Sequence, residues 1–445
     1  MMQSVTMQNL HETGTTAFVV SSVIKVLVVF VVLLVIVAML TLLERKISAW
    51  MQDRMGPNRV GPGGLLQPAA DGLKNILKEE TNPGEAAGVF FTLAPMLSII
   101  PAMVTFAVIP FAAPLPTRWG VVPMVVADMP VGILFLLAFS SLGVYGIVMA
   151  GWASANKYAL LGGLRAGAQM ISYEIALGLS LMSLFFVSGN VGLPQIVYAQ
   201  QKMHLWFALP FAVSFLFFWI SSFAETNRLP FDLPEAESEL VTGYHTEYSS
   251  MKFSMFFIAE YSHVLTVSAL LATLFLGGWD IPGSFDNMLG FVNGQWVGHE
   301  PKVWITVLTF LSFAIKTFFF IMVFMLVRWT VPRFRYDQVM DLGWKIMLPA
   351  ALVAVIVTGA TVLTLDSLGE PFVEKGTSGG LGYITVWGGA VLTVVNVAML
   401  VAVLTVMDRG RTLAATGALD ERRARAKQVA RLRAIEIQSA ERVEV

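Results

Sequence analysis

Cysteine is absent from this 445-residue chain. It can hold no disulfide, no iron–sulfur cluster and no thiolate zinc site, and its redox compartment goes unread. Charge is scarce as well: Asp, Glu, Lys and Arg make up 13% of the residues, where a soluble domain carries roughly a quarter. The five histidines are scattered, none in an HxxxH pair, so no metal motif is present. Neither a P-loop nor a GxGxxG fingerprint occurs. If the chain takes part in electron transfer, the nucleotide chemistry and metal centres belong to other chains. A net charge of −1 offers no pull on a polyanion.

What the chain has in abundance is apolar surface: 56% hydrophobic residues and a mean hydropathy of +0.70. A soluble fold of this length could not hide it, so the solvent is a bilayer. Nine apolar runs reach the roughly 20 residues that cross one, near 17–43, 89–112, 129–150, 167–188, 203–224, 253–276, 303–327, 344–365 and 382–407. The fold class expected is all-α: one polytopic bundle of about nine transmembrane helices over 17–407, after an outward-facing leader, 1–16, too uncharged for a signal peptide. No internal repeat is visible, which argues against a transporter built from inverted halves.

Orientation follows from the basic residues. The alternate connections 44–88, 151–166, 225–252 and 328–345, with the tail from 408, carry 23 of the 29 Lys and Arg. The opposite connections carry four: Arg118, Lys202, Lys302 and Lys375. The N-terminus is therefore expected outside and the C-terminus in the cytoplasm. The tail 408–445 reads as a basic, helical extension, and a solvated helix or a surface for anionic lipid or a partner both fit it.

Three charged regions stand out. In 44–80 the first span ends at Glu44, Arg45 and Lys46, with Trp50 as an interfacial anchor. A Gly/Pro stretch, 56–64, then forces tight turns. A helix follows from Pro68, with Leu73, Ile76 and Leu77 on one face and Asp71, Lys74 and Lys78 on the other. That pattern suits a helix lying on the membrane surface, and an ordinary charged linker remains the plainer alternative. In 225–247 six acids crowd together: Glu225, Asp232, Glu235, Glu237, Glu239 and Glu247, with Arg228 among them. Crowded carboxylates disfavour one another's ionised forms and so can exchange protons. Asp232 and Pro234 also resemble a helix cap and first turn, so a solvated acidic loop stays open. Within apparent spans lie Glu174, about 13 Å along a helix from Arg165, Glu260, about 12 Å past Lys252, and Lys316 near a span centre. Ionisable groups at such depth line a relay or a wet cavity, or else pair structurally.

The segments ERKISAWMQDRMGPNRVGPGGLLQPAADGLK and AETNRLPFDLPEAESELVTGYHTEY, with GWASANKYALLGGLRAGAQMISYE (151–174) and RWTVPRFRYDQVMDLGWK (328–345), resemble the signature segments of the H-type membrane subunits of complex I, the proton-pumping NADH:quinone oxidoreductase. The resemblance covers about 40–365, and the leader, last span and basic tail depart from it. It implies a non-autonomous membrane-arm subunit at the dock of the hydrophilic arm, in a bacterial inner membrane. Arg45, Arg54, Asp71, Lys74 and Arg328 then fall at quinone-chamber or mouth positions. Glu174, Glu225, Asp232, Glu235, Glu237, Glu239, Glu247 and Glu260 fall on the acidic path that links quinone reduction to pumping; Lys316 is assigned to the same proton path from its depth in a span and not from the resemblance. Quinone is the implied substrate, and the chain binds no cofactor alone; FMN and iron–sulfur clusters are expected in partner subunits. The equivalent subunit of a membrane-bound hydrogenase, or of another quinone- or phenazine-reducing relative, would carry the same motifs. A stand-alone proton or cation transporter fits less well.

Overall fold

The computed structural model describes residues 15–117, 120–203, 205–233, 241–281, 289–292, 295–298, 302–367, 373–374, 383–384 and 387–405. The first helix, α1 (Thr15–Trp50), is continuous for 36 residues. Valine and isoleucine are mediocre helix formers in water, but in lipid every backbone group must bond within its own segment, which only a helix allows a single span. The helix runs past its expected end at residue 43, so Glu44, Arg45 and Lys46 are helical and not part of a loop.

The connection that follows is folded tightly. Gly64 adopts φ 82°, and a Cβ there would collide with the Pro57 carbonyl. Lys46 Nζ closes the turn on Gly63 O at 2.5 Å. The expected surface helix is α2 (Gln67–Leu77), with Pro68 in its first turn. Leu73, Ile76 and Leu77 stand exposed on it. Its C-terminal end is tied to the bundle by Ser250, whose hydroxyl donates to Asn75 O or Lys78 O.

The bundle proper comprises α3 (Gly88–Val104), α4 (Gly132–Ala153), α5 (Lys157–Ser188), α6 (Leu193–Met203), α7 (Ala212–Glu225), α8 (Ser250–Phe275), α9 (Val303–Thr330), the short α10 (Tyr336–Asp341), α11 (Leu348–Ser367) and α12 (Trp387–Thr405). Among the described residues, eight helical segments are long and apolar enough to cross a bilayer. The expected fifth span departs from that rule. At 14 residues α7 measures about 21 Å, short of the roughly 30 Å hydrocarbon core. Turns at 207–211 replace its first half. Three two-stranded antiparallel ribbons, such as β1 (Leu115–Thr117) with β2 (Gly120–Val122), complete the described connections.

Small residues let the helices approach closely, the usual solution where lipid removes any hydrophobic drive between helices. A Cβ on Gly146 of α4 would lie 2.9 Å from Ala94 O of α3. The α4–α5 turn is set by Asn156, whose side chain accepts from Tyr158 N at 2.9 Å as an N-cap. Helix α8 is the axis of the bundle: Ala269–Phe275 are almost wholly enclosed. One core cluster joins it to α3, α4 and α5 through Phe91, Ile147, Met170 and Phe256. Another joins it to α1 and α9 through Leu33, Val37, Leu40, Tyr261, Leu265 and Ile321. By contrast α1 exposes Val20, Ile24, Leu27 and Val31 by more than half, as a lipid-facing helix does. The chain divides into two compact units, 1–396 and 397–445, and of the second only the end of α12 is described.

Candidate functional site

Two hollows flank α8 near its middle. The larger, about 570 Å³, is lined by Ser98 and Thr105 from α3 and the segment after it, Ser140 from α4, Met170 from α5, Glu225 at the end of α7, Tyr244, and Glu260 and His263 of α8. Spaced i, i+3, these two α8 side chains share one helix face. The smaller hollow, about 300 Å³, is lined by Leu40 and Glu44 of α1, Arg228, Tyr261 and Val264 of α8, and Phe324 and Arg328 of α9.

Helix α7 stops at Glu225 because Pro230 and the left-handed Asn227 (φ 50°) follow within five residues. The buried Glu225 carboxylate meets His263 Nε2 at 3.2 Å, with Ser140 lining the same hollow. Glu174 of α5 lies close enough for its carboxylate to repel that of Glu225. Three residues on, Arg228 joins the two hollows. Its Nε lies 2.7 Å from Glu260, Nη1 lies 3.2 Å from both oxygens of Glu44, and the guanidinium stacks over Tyr261 at 4.5 Å from the ring centroid. Arg328 pairs with Oε1 of the same Glu44 carboxylate. Two acids and two arginines thus form one chain, Arg328–Glu44–Arg228–Glu260, buried at Glu44 and partly exposed at its Arg328 end. Each ion is costly to bury alone, and each has an opposite charge beside it.

The sequence-predicted residues divide accordingly. Arg328, Glu225 and Glu260 converge on these hollows, with Glu174 beside them. Arg45 and Asp71 pair with each other at 2.6 Å, joining α1 to α2, with Gln67 Nε2 donating to Asp71 at 3.0 Å. Arg54 and Lys74 are exposed on the same stretch, outside both hollows. Asp232 pairs with Arg333 at 3.1 Å. Glu247 stands apart: it accepts from Asn156 Nδ2 at 2.7 Å, at the start of α5. Lys316 is also remote from the acids of the hollows, its ammonium on the carbonyls of Leu276, Gly278 and Asp280 at 2.7, 3.1 and 2.5 Å. Glu235, Glu237 and Glu239, with the tail from 408, lie outside the described residues. Among the described residues no group of three His, Asp or Glu is arranged to hold a metal ion.

Glu44 escapes a reading of the sequence alone, which takes it for an interfacial charge at a helix end. The signal is nevertheless present in its spacing. Leu33, Val37, Leu40 and Ile47 form the buried stripe of α1, and Glu44 occupies the same stripe. An acid in a core stripe requires a buried partner.

The sequence model of the NADH dehydrogenase family matches residues 24–359. An H subunit of the NADH-quinone oxidoreductase of Geobacter metallireducens is 48% identical, over 75% of this chain and 94% of that protein. Its counterpart from Geobacter sulfurreducens is 49% identical over 78% of this chain and 96% of its own length. The H subunit of the NADH-quinone oxidoreductase of Protochlamydia amoebophila is 48% identical over 72% and 91%. With the match spanning the helices that build both hollows, the chain belongs to the NADH dehydrogenase family, as an H-type membrane subunit of complex I.

Proposed function

We propose that the smaller hollow and the exposed stretch 45–74 serve the quinone end of the enzyme, that the larger hollow serves proton transfer, and that Arg228 couples the two. The observation that carries this reading is the position of one guanidinium between Glu44 in one hollow and Glu260 in the other. Reduction of a quinone takes two electrons and two protons and ends as a quinol. The electrons come from FMN and iron–sulfur centres held by partner subunits. A change of charge near Glu44 and Arg328 alters how strongly Arg228 is held on that side, and hence how it holds Glu260. Glu260, His263 and Glu225 share a wall of the larger hollow, where a proton lost or gained by one changes the cost of ionising the next. Arg45, Arg54, Asp71 and Lys74 supply polar walls for a headgroup, while the exposed apolar face of α2 and the lipid-facing α1 suit the isoprenoid tail.

The charged connections face the cytoplasm of a bacterial inner membrane in this reading, with the hydrophilic arm docked on them. The basic-residue asymmetry supports it, and single cysteines at Asn58 and Ala440 of this cysteine-free chain test it by impermeant labelling of sided vesicles. Labelling from the outer face would overturn the orientation. For the coupling itself the test is Glu260→Gln in assembled enzyme. Quinone reduction is expected to fall several-fold, and NADH oxidation by a hydrophilic artificial acceptor to persist. Equal loss of both activities would place the residue outside the quinone end.

A further inference from the structure

Glu225 ends α7 and Arg228 sits on the loop that follows, and one neutral side chain holds both ends of that loop. Gln169 of α5 is fully buried. Its Nε2 lies 3.0 Å from Ala224 O, 3.0 Å from Phe231 O and 3.3 Å from Asn227 Oδ1. Ala224 precedes Glu225, Asn227 precedes Arg228, and Phe231 precedes Asp232. A single amide donor therefore spans the whole charged loop. Its acceptor end is buried without a hydrogen-bond partner. The side chain is thus engaged through its N–H groups alone, although a buried unmade bond is destabilising. One turn along α5, the Tyr173 ring packs on Phe231 at 5.4 Å, which backs the same loop from the same helix.

We propose that Gln169 is a positioning residue: by tying Ala224 to Phe231 it sets the separation of the Glu225 carboxylate and the Arg228 guanidinium. The inference rests on the proton-transfer reading above and deepens it. Glu225 is faced by His263 and Glu260 from α8, Glu174 from α5 and Ser140 from α4. Arg228 is faced by Glu44 from α1 and Glu260 from α8. If the loop relaxes, those distances change together, and the proton affinities of the set change with them.

Gln169→Met keeps the length and removes both donors. Gln169→Asn keeps the amide and withdraws it by one methylene. In assembled enzyme each is expected to lower quinone reduction several-fold and to shift its pH profile, leaving NADH oxidation by a hydrophilic artificial acceptor unchanged. In a Glu225→Gln background the additional profile shift should vanish, because the group being positioned no longer titrates. An assembled Gln169→Met enzyme with the wild-type profile overturns the inference. If the Met variant is missing from the complex, the Asn variant decides by the same criterion. Loss of the Asn variant as well also overturns it, since Gln169 would then serve folding in general. If Glu225→Gln itself leaves the profile unmoved, the parent reading fails and takes this inference with it. If Glu225→Gln shifts the profile and Gln169→Met does not, only the role of Gln169 fails.

Discussion

Arg228 and Lys316 are both largely enclosed cations in a membrane bundle, yet they sit in different settings. Arg228 sits among ionisable groups, Glu44 and Glu260, and between two hollows. Lys316 sits at the C-terminal end of α8, donating to three backbone carbonyls, with the Trp206 ring 4.9 Å away. Gln200 donates at 3.1 Å to Thr273 O and Leu274 O, and Ala208 N donates at 2.9 Å to Phe275 O, so the neighbouring carbonyls of the helix end are satisfied too. A helix end inside a membrane domain leaves carbonyls that water cannot reach, and a cation there also answers the helix dipole. The first arrangement joins two hollows through groups whose charge can change. The second completes a helix terminus, with the buried acid Asp280 supplying one of the carbonyls. Burial of a charge alone does not mark a relay; what faces the charge decides.

The comparison breaks most visibly at Arg228. Arg228→Leu leaves Glu44 with Arg328 alone and takes from Glu260 its guanidinium, a change on the order of 3–5 kcal/mol for a broken buried pair. The chain is expected to drop out of the assembled complex on native gels, and adding Glu260→Gln should recover part of it. Wild-type abundance and turnover in Arg228→Leu would dissolve the network. Next comes Lys316→Met, which removes a cap worth up to about 2 kcal/mol and lowers the thermal midpoint without moving the pH profile of quinone reduction. Lys316→Arg keeps the charge and cannot lose it, so assembled enzyme should pump normally. Assembled Lys316 variants that reduce quinone but no longer pump would return Lys316 to the proton path and erase the contrast.

A third, smaller effect separates two acids that sequence alone groups together. Glu225 faces His263 and the larger hollow, whereas Glu247 faces the amide of Asn156. Glu225→Gln is expected to lower quinone reduction several-fold and to interact non-additively with Glu174→Gln. Glu247→Gln keeps a hydrogen-bonding side chain toward the start of α5 and should leave turnover near the wild-type value, because the amide oxygen of Gln can still accept from Asn156. Equal effects would mean that both acids belong to one titrating set.

Apolar length marks eight of the spans directly, since a run of about 20 such residues has few other uses. At 203–224 the apolar run is real and ends in a helix, but turns at 207–211 take the place of that helix's first half. Hydropathy does not distinguish a helix from a buried turn. The residues of the site are legible as types: Glu225, Glu260 and Arg328 are conspicuous charges in apolar surroundings. Their partners are not, because Arg228 meets Glu44 across 184 positions and Arg328 meets it across 284. Gln169 is hidden for a different reason. A single neutral amide in a helix carries no sign, and only the carbonyls opposite it disclose what it does.

The smallest effect on stability is expected at Arg45 and Asp71. The pair is close, at 2.6 Å, but the side chains remain 52% and 26% exposed. Water and salt screen such a contact, so Arg45→Ala or Asp71→Asn should cost about 0–1 kcal/mol and leave the complex assembled. An effect on quinone reduction would then have to come from the headgroup and not from folding, and it should appear as a raised KM for quinone with kcat nearly unchanged. The charge swap sharpens the point. If the pair only fastens α2 to α1, Arg45→Asp with Asp71→Arg restores the contact and with it the wild-type KM. If either side chain meets the headgroup, the swap places the wrong donor and acceptor against it, and KM stays high although the helices are joined again.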